Sequence, residues 1–121
     1  MIKDFTDLFV WQKAHVLVVD IYRLVSKFPS FERHGLSDQL RRASVSITSN
    51  IAEGFSRQGL KEKIQFYYLA TGSLTEVRNQ LMIARDVDYL PNPNNIENLF
   101  AKIVEVEKML SGLIKTSKAR I

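Results

Sequence analysis

Apolar residues recur every three or four positions through four successive segments of the chain, which is the period of an amphipathic α-helix. Stretches rich in Pro, Gly, Asn and Ser separate the segments, and such stretches interrupt helices. No segment shows the two-residue alternation that is typical of a half-buried strand. The pattern predicts helices over residues 8–27, 37–57, 61–88 and 95–117.

Short connections between these segments place consecutive helices antiparallel to one another. We therefore predict an all-α fold, a left-handed antiparallel up-down-up-down four-helix bundle, with residues 1–121 forming a single domain. The stretch PNPNN, residues 91–95, is expected to interrupt the helical structure between the third and fourth helices. Ser37 is expected to begin the second helix, and Asn94 with Glu97 to form a capping box on the fourth.

The composition excludes several classes of protein. The chain contains no Cys, which excludes disulfides, thiolate nucleophiles and zinc–thiolate sites. No apolar run approaches the roughly 20 residues of a membrane span. The first residues lack the basic-then-apolar order of a signal peptide. We therefore expect a cytoplasmic protein with no membrane association.

The sequence offers no recognisable catalytic chemistry. Di-metal bundles place Glu-x-x-His motifs on facing helices, but here Glu53 and Glu76 are followed three residues later by Ser56 and Asn79. Neither of the two histidines has an arginine five residues before it, and neither Gly54 nor Gly59 is followed by the Lys-Ser or Lys-Thr of a phosphate-binding loop. We predict a protein that is not an enzyme, with no catalytic residue, no cofactor and no metal ligand.

Small residues define one face of the second helix, within the stretch RRASVSITSNIAEGFSR. In an antiparallel hairpin that turns near Gly59, Gly72 falls beside Ser46 and Ile47, so we predict a close approach of the two backbones there. A helical glycine costs about 1 kcal/mol relative to alanine, and a close approach would offset that cost.

Polar residues on the same face are expected to be partly buried. Asn50 and Glu53 are predicted to form a polar clasp that fixes the register of the helices, with Ser73, Gln65 or a neighbouring subunit as the partner. This structural role is favoured over a catalytic one.

Two helices carry more apolar surface than a single core stripe requires. The additional residues are Trp11, Val18 and Val25 in the first helix and Phe66, Tyr68 and Leu69 in the third. Such surface indicates either a broad core face or a face that is covered by another copy of the chain. Both interpretations remain open on the sequence alone.

Positive charge is concentrated in two stretches of a chain whose net charge is +4. Residues 33–63 contain six cations against three anions, and the tail KTSKARI adds Lys115, Lys118 and Arg120 with no acid. The predicted phosphate contacts are Arg41, Arg42, Arg57, Lys61 and Lys63. The alternative is a solvated charged surface, and oligomerisation would favour the phosphate-binding interpretation by repeating the patch.

Three stretches resemble the four-helix-bundle proteins encoded within 23S ribosomal RNA intervening sequences. They are FVWQKAHVLVVDIYRLVSKFP, GLSDQLRRASVSITSNIAEGFSR and FYYLATGSLTEVRNQL, and the patterns RRAxxSIxxNIAEG and AxGSxxE are the most distinctive parts. The resemblance covers residues 5–90. Its motif falls on Arg41, Arg42, Asn50, Glu53, Gly54, Gly72, Ser73 and Glu76.

The resemblance implies a fold similar to that of the accessory protein of diversity-generating retroelements. It also implies a ring-shaped homopentamer with a basic surface that binds nucleic acid, and it brings no enzymatic activity. We therefore expect a non-enzymatic, oligomeric bundle that binds RNA or DNA through phosphate contacts. The alternative is a structural module whose partner is another protein, such as a reverse transcriptase or a sibling subunit.

Overall fold

Four long helices form the computed structural model, which describes residues 1–90 and 92–121. They are α1 (Phe9–Val25), α2 (Leu36–Ser56), α3 (Leu60–Asp86) and α4 (Pro93–Ala119). The described part of the chain contains no strand, and the all-α prediction is confirmed. Two short 3-10 helices that the sequence did not predict, Phe5–Asp7 and Ser30–Glu32, precede α1 and α2.

The helices pack in the order of the chain. Each helix contacts the next one, α1 also contacts α4, and within the described residues the diagonal pairs do not approach each other. This arrangement fits the predicted four-helix bundle. None of the described helices combines the length and the apolar character that a membrane-spanning segment needs.

The core follows the predicted apolar stripes of all four helices. Its completely enclosed side chains include Leu17, Ile47, Leu74 and Leu110, one from each helix. The additional apolar residues of α1 belong to this core as well, because Val18 and Val25 are buried, and Trp11 packs against it between the rings of Phe5 and His15. For α1 the broad core face is therefore the correct interpretation.

Two helix starts differ from the prediction. The N-cap of α2 is Gly35, whereas Ser37 is buried inside the first turn, and the carboxylate of Glu32 accepts the N–H of Leu36 at 3.2 Å.

The fourth helix begins earlier than expected. Asn92 caps α4 in place of Asn94, accepting the Asn94 N–H at 3.0 Å. Proline has no N–H to lose and a helical φ, so Pro93 suits the first helical position and moves the start toward the N-terminus. Pro91, which was also predicted to break the helix, lies outside the described residues.

Candidate nucleic-acid interface

Gly54 provides the tightest contact found at any glycine between α2 and α3. A Cβ atom at this buried position would lie 2.7 Å from Cε1 of Tyr67 and 3.0 Å from Cβ of Phe66. Real Cβ atoms essentially never come so close, so only glycine fits beside the ring. Burial also raises the pKa of the Tyr67 hydroxyl.

The close approach was wrongly assigned to Gly72. That residue is exposed, and a Cβ atom there would meet nothing within 4 Å. Gly72 follows the fully buried Ala70 by two residues, which is a rotation of about 200° around the helix axis. The predicted register therefore placed Gly72 at the correct level along the axis of α3, but Gly72 lies on the face that points away from α2.

A chain of polar side chains joins α2 to α3 near their midpoints. The Asn50 amide donates to the backbone carbonyl of Ser46 at 2.8 Å and to its hydroxyl at 3.0 Å. The Ser46 and Ser73 hydroxyl oxygens lie 2.8 Å apart across the two helices. The predicted clasp did not include Ser46, although the predicted hairpin register already places Ser46 opposite Ser73. Asn50 therefore acts by orienting Ser46.

Glu53 does not take part in this clasp, contrary to the prediction. It follows the buried Ile51 by two residues and consequently faces solvent, as does Glu76 on α3. Neither carboxylate forms a hydrogen bond or an ion pair with the described residues. Gly72 and Glu76 belong to an outer stripe of α3 that consists of Leu69, Gly72, Glu76, Asn79 and Ile83, all of them exposed.

The predicted phosphate-binding residues separate into two groups at opposite ends of the bundle. Arg41 lies in the first part of α2 and Arg57 directly follows its end, so about 24 Å of helix separates them. At the first end, Nε of Arg42 donates to Asp38 at 3.1 Å, although its side chain is 82% exposed. Arg41 donates to the carbonyl of Arg33 at 3.3 Å and lies 4.0 Å from the same Asp38. One carboxylate therefore partly neutralises both arginines.

The second group lies where α2 ends, α3 begins and the tail of α4 arrives. We call it the basic end and define it as Arg57, Lys61, Lys63, Lys115, Lys118 and Arg120. Nζ of Lys118 lies 5.0 Å from the centroid of the Tyr68 ring, so the tail of α4 packs beside α3. The positive charge of Arg120 is close enough to Lys63 to contribute to its pKa. The structure thus brings the predicted tail cations to the predicted α2–α3 turn.

Cations of the basic end have no carboxylate partners within the described residues. The described residues form five ion pairs: Lys13–Glu105, Arg41–Asp38, Arg42–Asp38, Arg85–Asp86 and Lys102–Asp20. All of them lie outside the basic end. The guanidinium of Arg57 instead stacks over Phe66, 4.7 Å from the ring centroid, which the sequence did not indicate.

Lys63 has a structural task within the basic end. Its ammonium donates to the carbonyl of Phe55 at 2.5 Å and to that of Gly54 at 3.4 Å, and it lies over the Phe55 ring. These carbonyls belong to the last turn of α2, where intrahelical partners run out, and that of Gly54 also accepts the N–H of Arg57 at 3.2 Å. Burial, followed by the charge of Arg120, lowers the pKa of the Lys63 ammonium. Of the five predicted phosphate contacts, Lys63 is therefore the least available.

Comparison with solved structures supports the same fold. The chain is similar to a crystal structure of a protein of unknown function from the S23 ribosomal protein family of Bacteroides thetaiotaomicron VPI-5482, with a TM-score of 0.80 and 23% identity. The match covers 88% of this chain and 95% of that one. A search among curated proteins found no match.

The family comparison extends over most of the bundle. The model of the 23S rRNA-intervening sequence protein family matches residues 6–112, which include α1, α2, α3 and most of α4. The match contains both motif-bearing helices and their contact at Gly54. The chain therefore belongs to the 23S rRNA-intervening sequence protein family.

Proposed function

We propose that this protein is a non-enzymatic, self-associating bundle that binds RNA or DNA through phosphate contacts at its basic end. The observation that carries the proposal is the gathering of six cations at one end, in α3 and α4 and directly after α2 and α4, without a carboxylate partner among the described residues. Unpaired lysine and arginine side chains release the counterions of a phosphate backbone when they bind it, and this release drives non-specific association. Arg41 and Arg42 form a weaker second contact, because Asp38 competes for both.

Self-association is supported by the outer stripe of α3. Leu69 is 56% exposed and Ile83 is exposed as well, although both are large and apolar. Between them lie two exposed residues of the family motif: Gly72, where an added Cβ would meet nothing within 4 Å, and Glu76, whose carboxylate has no partner among the described residues. Exposed apolar residues at both ends of a stripe that also contains a glycine suit the close packing of a second copy.

The solution mass tests the assembly. We expect light scattering after gel filtration to give a mass about five times the 13.9 kDa of one chain, following the pentamer implied by the resemblance. Such a ring would carry a formal charge of +20, five times that of a single chain. A monomeric mass at micromolar concentration would contradict self-association.

Salt dependence tests the binding. We expect the affinity for a fluorescein-labelled RNA hairpin, measured by anisotropy, to fall steeply between about 50 and 200 mM salt. Each phosphate contact contributes a slope of about −0.7 to −0.9 to the plot of log affinity against log salt concentration, so a slope steeper than about −3 indicates several contacts. Binding that does not change with salt would contradict phosphate recognition. No binding even at low salt would favour the alternative, a module whose partner is another protein.

A further inference from the structure

A groove beside the basic end contains an exposed aromatic ring, which is not needed for binding phosphates. It lies between α3 and α4, has a volume of about 350 Å³, and is lined by Tyr68, Thr71, Ser111, Ile114, Lys115 and Lys118. Tyr68 is 48% exposed, and its hydroxyl makes no hydrogen bond with the described residues. A half-exposed tyrosine offers an apolar ring face and a polar hydroxyl to a ligand.

The groove combines an aromatic face with positive charge. The Tyr68 ring and the apolar side chain of Ile114 both line it, and so do Lys115 and Lys118, which supply two ammonium groups. Nζ of Lys118 lies 5.0 Å from the Tyr68 centroid. An exposed cation–π contact is weak, so this lysine can leave the ring and bind a phosphate oxygen.

This combination is the one that recognises unpaired nucleotides. Every nucleobase has a planar face that stacks on an aromatic side chain, and its phosphates require cations nearby. In a duplex the base faces are covered by their neighbours, so a ring on a protein surface reaches them only in a single strand. The groove is also continuous with the basic end, since Lys115 and Lys118 belong to both.

We propose that this groove binds an unpaired nucleotide of a single-stranded nucleic acid. Its base stacks on Tyr68, and the adjacent phosphate is bound by Lys115 and Lys118. The inference rests on the proposed function, because the basic end holds the rest of the strand. It adds a preference for single strands that phosphate contacts alone would not give.

The test compares a labelled 12-nucleotide oligouridine with a labelled duplex of equal length, at the same low salt. We expect Tyr68→Ala to lower the affinity for the single strand by about 5- to 100-fold, the usual effect of removing a stacking platform. The affinity for the duplex should remain within about twofold of the wild-type value. Tyr68→Phe keeps the ring and should retain single-strand binding, and circular dichroism checks that both variants fold.

Phe31 provides the control, since it is an exposed aromatic residue at the other end of the bundle that lines neither this groove nor the one of Arg41 and Arg42. We expect Phe31→Ala to leave single-strand binding unchanged. An equal loss from Phe31→Ala, an equal loss for strand and duplex, or no loss from Tyr68→Ala would overturn the Tyr68 site while the proposed function stands. Failure of the wild-type protein to bind either nucleic acid would overturn both.

Discussion

Replacing Gly54 by valine is expected to lower the free energy of unfolding by about 2–3 kcal/mol. The added side chain would enter the space of the Tyr67 ring, whose nearest atom lies 2.7 Å from the position of the new Cβ. Tyr67 is buried and cannot move aside without opening the contact between α2 and α3. Overpacking of this kind typically costs about 1–3 kcal/mol. Urea denaturation followed by circular dichroism measures the change.

The chain offers a matched control for this substitution. Gly112 also lies within a helix, but a Cβ atom there would meet nothing within 4 Å. We expect Gly112→Val to change the free energy of unfolding by less than about 0.5 kcal/mol, as for most surface substitutions. Equal destabilisation by the two substitutions would show that valine acts through the helix backbone and not through the Tyr67 ring.

Removal of three charges from the basic end is expected to abolish detectable RNA binding at about 0.15 M salt, where non-specific affinities are already weak. The variant combines Arg57→Gln, Lys61→Gln and Arg120→Gln, and it retains Lys63 because that side chain holds the end of α2. At lower salt, the slope of log affinity against log salt should become shallower by about 2–3. Anisotropy titrations at several salt concentrations measure both quantities.

The control removes the same charge from the opposite end. A triple variant with Arg33→Gln, Arg41→Gln and Arg42→Gln also reduces the formal net charge from +4 to +1. We expect a smaller loss of affinity, because Asp38 already neutralises part of the charge of Arg41 and Arg42. Equal losses would mean that RNA responds to net charge alone, which contradicts a binding surface at the basic end.

Periodicity was sufficient to predict the four helices and most of the core. A three-four repeat reports which side of each helix is apolar, and burial follows from it directly for residues such as Leu17, Ile47 and Leu81. Helix starts were less predictable, because Pro93 both ends one pattern and suits the first turn of the next helix.

The candidate site was only partly predictable because it depends on how helices are rotated and how far they extend. The basic stretch 33–63 looks continuous in the sequence, but α2 carries its two halves to opposite ends of the bundle. Small residues in α2 suggested close packing against Gly72, whereas the rotation of α3 leaves that position open. The meeting of Lys118 with Tyr68 depends on the register of α4 against α3, which no motif specifies.

The contact between Gly54 and Tyr67 also limits how this sequence can change during evolution. A larger residue at position 54 requires a smaller one at position 67, so the two positions are expected to vary together or not at all. Gly72 has no such constraint within a single copy, and alanine there would be the better helix former by about 1 kcal/mol. If relatives keep glycine at this position, contact with another molecule would be the physical reason.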